Sequence, residues 1–341
     1  MAQIIPKNPI AVENNWQKEL AMAFTDPDRL LSHLQLDPQA YREHSKARRL
    51  FPMRVPRPFV ARMSKGNPDD PLLRQVLPLS DEFVAAPGFG HDPLQEQNSP
   101  QKGLLHKYHS RVLLLVRGGC AVNCRYCFRR HFPYADNKVN KQGWLEVLDY
   151  IRADHGINEV IYSGGDPLMA NDEQLAWLTE QLQDIPHLTR LRIHTRLPVV
   201  IPSRITPSLI DWFARQRLKP VMVLHINHSN EIDKALRERL AQLRDAGVTL
   251  LNQAVLLRGI NDSADAQVAL SEALFAAGVL PYYLHMLDKV DGASHFDVQE
   301  DDARNIMAEV IKRQPGFLVP KLVREIGGQP GKTLLDLHLQ P

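Results

Sequence analysis

Short runs rich in Val, Ile, Leu and Tyr alternate with helix-period stretches over the last two-thirds of this chain. The apolar runs fall at residues 111–116, 159–162, 190–194, 220–226, 249–257 and 279–287. Helical patterns fall between and after them, at residues 142–155, 173–183, 207–217, 231–246, 264–277 and 300–313. Thr206 before Pro207 reads as an N-cap followed by proline at the first helical position, and Asn171-Asp172 precede the second helix. Such alternation predicts an α/β fold with a parallel sheet and right-handed crossovers. Six units predict a partial (β/α)6 barrel, because a complete eight-unit barrel needs more chain. An open doubly wound sheet is the alternative.

Residues 1–100 break this rhythm. Helical patterns at residues 13–24 and 26–36 give way to Pro52, Pro56, Pro58, Pro68, Pro71, Pro78, Pro87 and Pro93. Proline at that density stops any long element, so a helical lead and an extended wrapping arm are predicted. The expected domains are this region, the barrel over residues 101–320, and a C-terminal segment, 321–341, packed on the barrel.

In parallel barrels the reactive groups collect on loops after the strands' C-terminal ends. A cysteine-bearing loop follows the first predicted strand, Ser163-Gly164-Gly165-Asp166-Pro167 the second, His194-Thr195-Arg196 the third and His225-Ile226-Asn227-His228 the fourth. Gln253 lies within the fifth run and Asp288 follows the sixth. Polar chemistry thus gathers on one rim.

Composition narrows the classes. With 44% apolar residues the chain can build a large core, and 41 Lys+Arg against 39 Asp+Glu leave no broad basic field for nucleic acid. The run Lys46-Ala47-Arg48-Arg49 reads as solvated surface. No stretch approaches about 18 uninterrupted apolar residues, and no secretory pattern opens the chain, so no membrane role is expected. Unpaired thiols suit a reducing, cytoplasmic setting.

The only three cysteines, Cys120, Cys124 and Cys127, are spaced C-x3-C-x2-C. Three thiolates in one loop repel each other unless a metal compensates them. A four-iron, four-sulfur cluster can be held by three and leaves one iron open. A structural zinc completed by His131, or an inert electron-transfer cluster, is the alternative reading of these residues. With an aromatic residue before the last cysteine, the loop resembles that of radical S-adenosylmethionine enzymes. The resemblance implies that S-adenosyl-L-methionine chelates the open iron of a [4Fe-4S] cluster and is cleaved to a 5′-deoxyadenosyl radical. Ser163, Gly164, Gly165 and Asp166 resemble the motif that receives its amino group.

Near the end stands Gly327-Gly328-Gln329-Pro330-Gly331-Lys332-Thr333. Its glycine spacing fails as a phosphate-binding P-loop. Lys332 is a candidate Schiff-base lysine for pyridoxal 5′-phosphate, although by itself the better reading is a solvated lysine on a surface turn.

From about Leu104 to Thr333 the chain resembles the lysine 2,3-aminomutase family. The match runs through His106-Lys107-Tyr108 and Arg111, Cys124-Arg-Tyr-Cys127-Phe-Arg129-Arg130, Ser163-Gly-Gly-Asp-Pro-Leu168, and Asn252-Gln253 to Asn261. The resemblance implies that Lys332 binds the cofactor aldehyde, with Lys107, Tyr108, Arg111 and Gln253 around its phosphate. It places Arg129 at the substrate carboxylate, and Asp288 and Glu325 at the distal ammonium. Lysine suits that charge pattern, whereas a glutamate-type substrate would meet two acids. Glu325 replaces the family's usual aspartate, and few residues follow Lys332. Both features resemble the bacterial branch that makes β-lysine from free lysine, for attachment to elongation factor P by a separate ligase. The resemblance further implies an electron donor such as flavodoxin or ferredoxin and admits a homo-oligomer. Two competing functions stay open: an aminomutase for another amino acid, and a non-catalytic iron–sulfur or zinc scaffold binding elongation factor P.

Overall fold

The computed structural model describes residues 15–97 and 101–339. Nine strands form one sheet in chain order: β1 (Leu104–Tyr108), β2 (Arg111–Arg117), β3 (Glu159–Gly164), β4 (Arg190–Thr195), β5 (Lys219–Leu224), β6 (Thr249–Val255), β7 (Leu280–His285), β8 (Lys321–Arg324) and β9 (Thr333–Leu334). Strands β2 to β8 pair in parallel, while β1 and β9 run antiparallel at the two ends. Helices α5 (Lys141–Ala153), α6 (Asp172–Gln183), α8 (Pro207–Ala214), α9 (Lys234–Asp245), α10 (Ala264–Ala276) and α11 (Glu300–Arg313) follow β2 to β7 in turn. This is the predicted partial barrel of six strand–helix units. Before α8 lies the single turn α7 (Leu197–Val200).

The predicted helix starts hold. Thr206 accepts the Leu209 N–H ahead of α8, and Asn171 accepts that of Gln174 ahead of α6. The helix expected from residue 231 begins instead at Lys234, because Asp233 caps it and Glu231 closes a preceding 3-10 turn. Three strands lay outside the prediction: β1, β8 and β9. The C-terminal segment from 321 therefore enters the sheet itself as β8 and β9.

The lead region holds only short helices, α1 (Asn15–Ala21), α2 (Pro27–His33), α3 (Arg57–Val60) and α4 (Pro71–Arg74), joined by 3-10 turns and extended chain. The expected start of the first helix, at residues 13 and 14, lies outside the described residues. Its apolar side chains, including Phe59, Leu72 and Leu73, share one continuous core with Leu114, Leu191, Leu224 and Leu284 of the sheet. Among the described residues no helix is long and apolar enough to cross a membrane.

Candidate active site

Successive side chains of a strand point to opposite faces. Leu191 and Ile193 of β4 are buried on one face, while Arg192 and His194 alternate with them and face the barrel interior. The same alternation directs Ile161 and Ser163, Leu251 and Gln253, and Tyr283 and His285 inward. The interior is therefore a cavity of about 640 Å³, open because the barrel is incomplete. All fifteen residues expected at the site line this one cavity: Lys107, Tyr108, Arg111, Cys120, Cys124, Cys127, Arg129, Ser163, Gly164, Gly165, Asp166, Gln253, Asp288, Glu325 and Lys332.

The cysteine loop leaves β2 and is fixed by its surroundings. Arg54 donates to the Cys120 carbonyl at 3.1 Å, and Arg196 Nη1 lies 2.8 Å from Cys124 Sγ. Burial, then the neighbouring thiols, pushes the Cys120 thiol well above its usual value; burial and Cys124 push Cys127 up to about 11. Thiolates at such positions call for a compensating positive charge, which the core of an iron–sulfur cluster would supply. His131, the fourth ligand of the zinc alternative, instead stacks on His91 with ring centroids 4.3 Å apart, and does not line the cavity. Among the described residues no group of three or more His, Cys, Asp or Glu side chains gathers tightly enough for a single metal ion.

The loop after β3 lies directly against the cysteine loop. Gly164 has φ +126, and a Cβ there would stand 2.2 Å from the Arg117 carbonyl. At Gly165 a Cβ would meet the carbonyls of Gly118 and Gly119 at 2.7 Å and Cys120 Sγ at 2.9 Å. Glycine is required at both positions by contact with the chain itself, and the same close approach bares backbone toward the cavity. Asp166 engages both its oxygens: Oδ1 accepts from Thr195 Oγ1 at 2.7 Å and Leu168 N at 3.0 Å, while Oδ2 accepts from Arg196 N and Leu197 N at 2.8 and 2.9 Å. It ties the β3 loop to the β4 loop, so its geometry is that of a brace.

Lys332 sits at the end of the turn joining β8 to β9, a hairpin and not the strand-to-helix turn of a P-loop. Its Nζ lies 2.5 Å from Glu325 Oε2. Glu325 Oε1 also accepts from Tyr108 at 3.0 Å and faces Lys107 Nζ at 3.4 Å. Glu325 thus serves Lys332 and β1, where an ammonium partner had been expected. Burial alone would raise its carboxyl, but Lys332 and Lys107 hold it down to about 2. Asp288 behaves oppositely: burial, reinforced by the Glu325 charge, pushes it up to about 7. Arg111 stacks over the Tyr108 ring, 4.0 Å from its centroid. Among the described residues, four buried polar atoms of cavity-lining side chains have no partner: Gln253 Oε1, His194 Nε2, His285 Nε2 and Arg196 Nε. Burial lowers all three interior histidines, with His225 near 3, so they present neutral imidazoles. Lys332, Lys107 of β1, Arg111 of β2 and the unpaired atoms of Gln253, His194 and His285 suit an aldehyde-bearing phosphate ester with a polar ring.

Sequence reasoning missed Glu96, which is buried against Arg129 and Lys107. Its neighbours Gln95 and Gln97 carry no periodic signal. Also missed was the Arg192–Glu159 pair on the cavity wall, at 2.6 and 3.0 Å, although both residues fall in predicted strands.

Comparison with known proteins points one way. The Radical SAM superfamily model matches residues 114–269. The L-lysine 2,3-aminomutase of Escherichia coli (strain K12) is 59% identical over 341 residues, covering 100% of this chain and 99% of that protein. That of Haemophilus influenzae is 53% identical, covering 97% and 99%. That of Buchnera aphidicola subsp. Baizongia pistaciae is 47% identical, covering 96% and 97%.

Proposed function

The chain belongs to the lysine 2,3-aminomutase family of radical SAM proteins, and on that premise we propose that it converts free L-lysine to β-lysine with pyridoxal 5′-phosphate on Lys332. One observation carries the reading: the thiol loop, the lysine turn and both charge ends line a single cavity. Cys120, Cys124 and Cys127 would hold the [4Fe-4S] cluster, with S-adenosyl-L-methionine against the backbone at Gly164 and Gly165. When bound, cluster and S-adenosyl-L-methionine supply a carbon-centred radical, while pyridoxal phosphate supplies an aldehyde for the substrate amine and a ring that spreads the unpaired electron.

The chain's own residues do the positioning. Arg129 takes the substrate carboxylate through a charge-assisted hydrogen bond. Lys107, Tyr108 and Arg111 on the β1–β2 hairpin hold the phosphate end, and Gln253 and the neutral interior histidines offer hydrogen bonds without added charge. Asp288 meets the distal ammonium. Glu325 holds the Lys332 amine in place; with pyridoxal phosphate on that lysine, Glu325 would be free to face the substrate's distal ammonium. A misplacement of about 1 Å would cost on the order of a hundredfold in rate. The wider reading is supported by the resemblance drawn from the sequence: a flavodoxin- or ferredoxin-type reductant, a cytoplasmic setting, and delivery of β-lysine to a ligase that modifies elongation factor P.

The test is an anaerobic assay of fully loaded protein with L-lysine, following β-lysine and 5′-deoxyadenosine together. Lys332→Ala is expected to abolish β-lysine while retaining reductive cleavage of S-adenosyl-L-methionine. Rearrangement that survives Lys332→Ala would remove the role given to that lysine.

A further inference from the structure

The Arg129 guanidinium is already heavily engaged. Its Nε and Nη2 donate to the two oxygens of Glu96 at 2.6 and 3.0 Å, and Nη1 donates to Ser163 Oγ at 3.0 Å and the Gly164 carbonyl at 3.2 Å. Four of the five N–H bonds of an arginine are thereby committed, leaving one on Nη2. Glu96 also reaches Lys107 Nζ at 2.7 Å. Lys107 is shared between Glu96 and Glu325, so Glu96 couples the Arg129 guanidinium to the lysine of the β1–β2 hairpin.

Glu96 is held from behind. It is 5% exposed. The Asp92 carboxylate accepts from the backbone N–H groups of Glu96 and Gln97 at 2.9 and 3.1 Å. The adjacent Gln95 side chain lies against Gly327 of the lysine-bearing turn, 3.1 Å from where a Cβ would stand. Burial alone would favour the protonated acid, but Arg129 and then Lys107 keep Glu96 below the usual glutamate range. A buried carboxylate in three charge-assisted contacts is part of the built site and does not leave it readily.

We propose that Glu96 is a positioning residue for recognition of the substrate carboxylate: it locks Arg129 and Lys107 so that the one uncommitted Arg129 N–H meets that group. This deepens the reading given above and rests on it, through the assignment of Arg129 to the carboxylate. A gate that swings aside for substrate is the rival, and it has the opposite signature.

The test compares L-lysine with cadaverine, which keeps both amines and lacks the carboxylate. Binding to loaded protein is followed by calorimetric titration without reductant, so that no turnover occurs. Wild-type protein prefers lysine; no preference would overturn the Arg129 assignment beneath the proposal and leave Glu96 nothing to position. Glu96→Gln keeps the size and removes the charge. It is expected to cut the lysine-over-cadaverine ratio by about tenfold or more, with cadaverine affinity within about twofold of wild type. An unchanged ratio with a lowered unfolding midpoint would make Glu96 a scaffold residue, and a raised ratio would make it a competitor for Arg129; either overturns the proposal. Glu96→Asp keeps the charge one methylene back, so its ratio falls between the two. That variant carries the test if Glu96→Gln does not fold, and a wild-type ratio in it is also fatal.

Discussion

At the scale of single residues, two acids on one cavity wall have been driven apart by their neighbours. Asp288 is pushed up to about 7 by burial and then by Glu325, while Glu325 is held near 2 by its two lysines. Only an ionised Asp288 would attract the ammonium, so kcat/KM for lysine is expected to rise with pH through that carboxyl's raised value, about 7 with the Lys332 amine free and higher where the cofactor takes up that amine's charge. Glu325 stays charged across that window and adds no second limb. Asp288→Asn should erase the limb and lower kcat/KM by about tenfold to a hundredfold, checked by a pH–rate series. The stability sign is the reverse. A raised carboxyl favours the fold at low pH and loses that contribution as pH climbs from the ordinary 3.8 through about 7. The unloaded Asp288→Asn protein should therefore unfold at a higher temperature than wild type above pH 7, and show no such advantage near pH 4. Both acids were legible in the sequence because the family pattern marks them; their division of labour was not, since it depends on which lysine stands beside each.

Among the elements, the arm is the part whose purpose the sequence concealed. Proline density shows that residues 52–93 cannot form a long helix, and says nothing of where the chain goes. The structure lays it against the cysteine loop, with Asn123 N donating to the Arg54 carbonyl at 3.1 Å and Arg125 N to the Gln75 carbonyl at 2.9 Å. A buried ion triad fastens the two: Glu82 accepts from Arg125 at 2.5 and 2.8 Å and from Arg130 at 2.8 Å. Arg125, which family resemblance leaves between two cysteines without a role, is fully buried in this triad. Glu82→Ala would strand two buried guanidiniums and is expected to cost about 3–5 kcal/mol, read by denaturant unfolding. Iron content after anaerobic reconstitution should fall with it, because the triad anchors the thiol loop. Strands β2 to β7 were readable since each is a β-rich run followed by a helix-period stretch, and five of the six helices, all but α11, start on a side-chain cap. The two-residue β9 and four-residue β8 carry too little periodicity, and β1 hides in a polar hairpin whose Lys107 and Tyr108 face the site.

For the molecule as a whole, the incomplete barrel brings its two sheet ends into conversation. β1 lies at one end of the strand order and β8–β9 at the other. Side chains link them, Tyr108 to Glu325 at 3.0 Å and Lys107 to Glu325 at 3.4 Å, with Lys332 beside them. A closed barrel would fill this space with backbone pairing; on the proposed reading, a ligand held by both ends would supply the closure. Pyridoxal phosphate bound at Lys332 on one side and at Lys107 and Arg111 on the other should therefore stabilise the fold by linkage, by about 2.7 kcal/mol at a hundred times its Kd. The check is a thermal unfolding series with and without the cofactor, which needs neither reductant nor turnover. Lys332→Ala is expected to lose most of the rise in midpoint, and Lys107→Ala a smaller part, because a phosphate keeps Arg111. A rise that survives Lys332→Ala undiminished would place the cofactor elsewhere, and the two ends would then need another reason to face each other across a lined and polar gap.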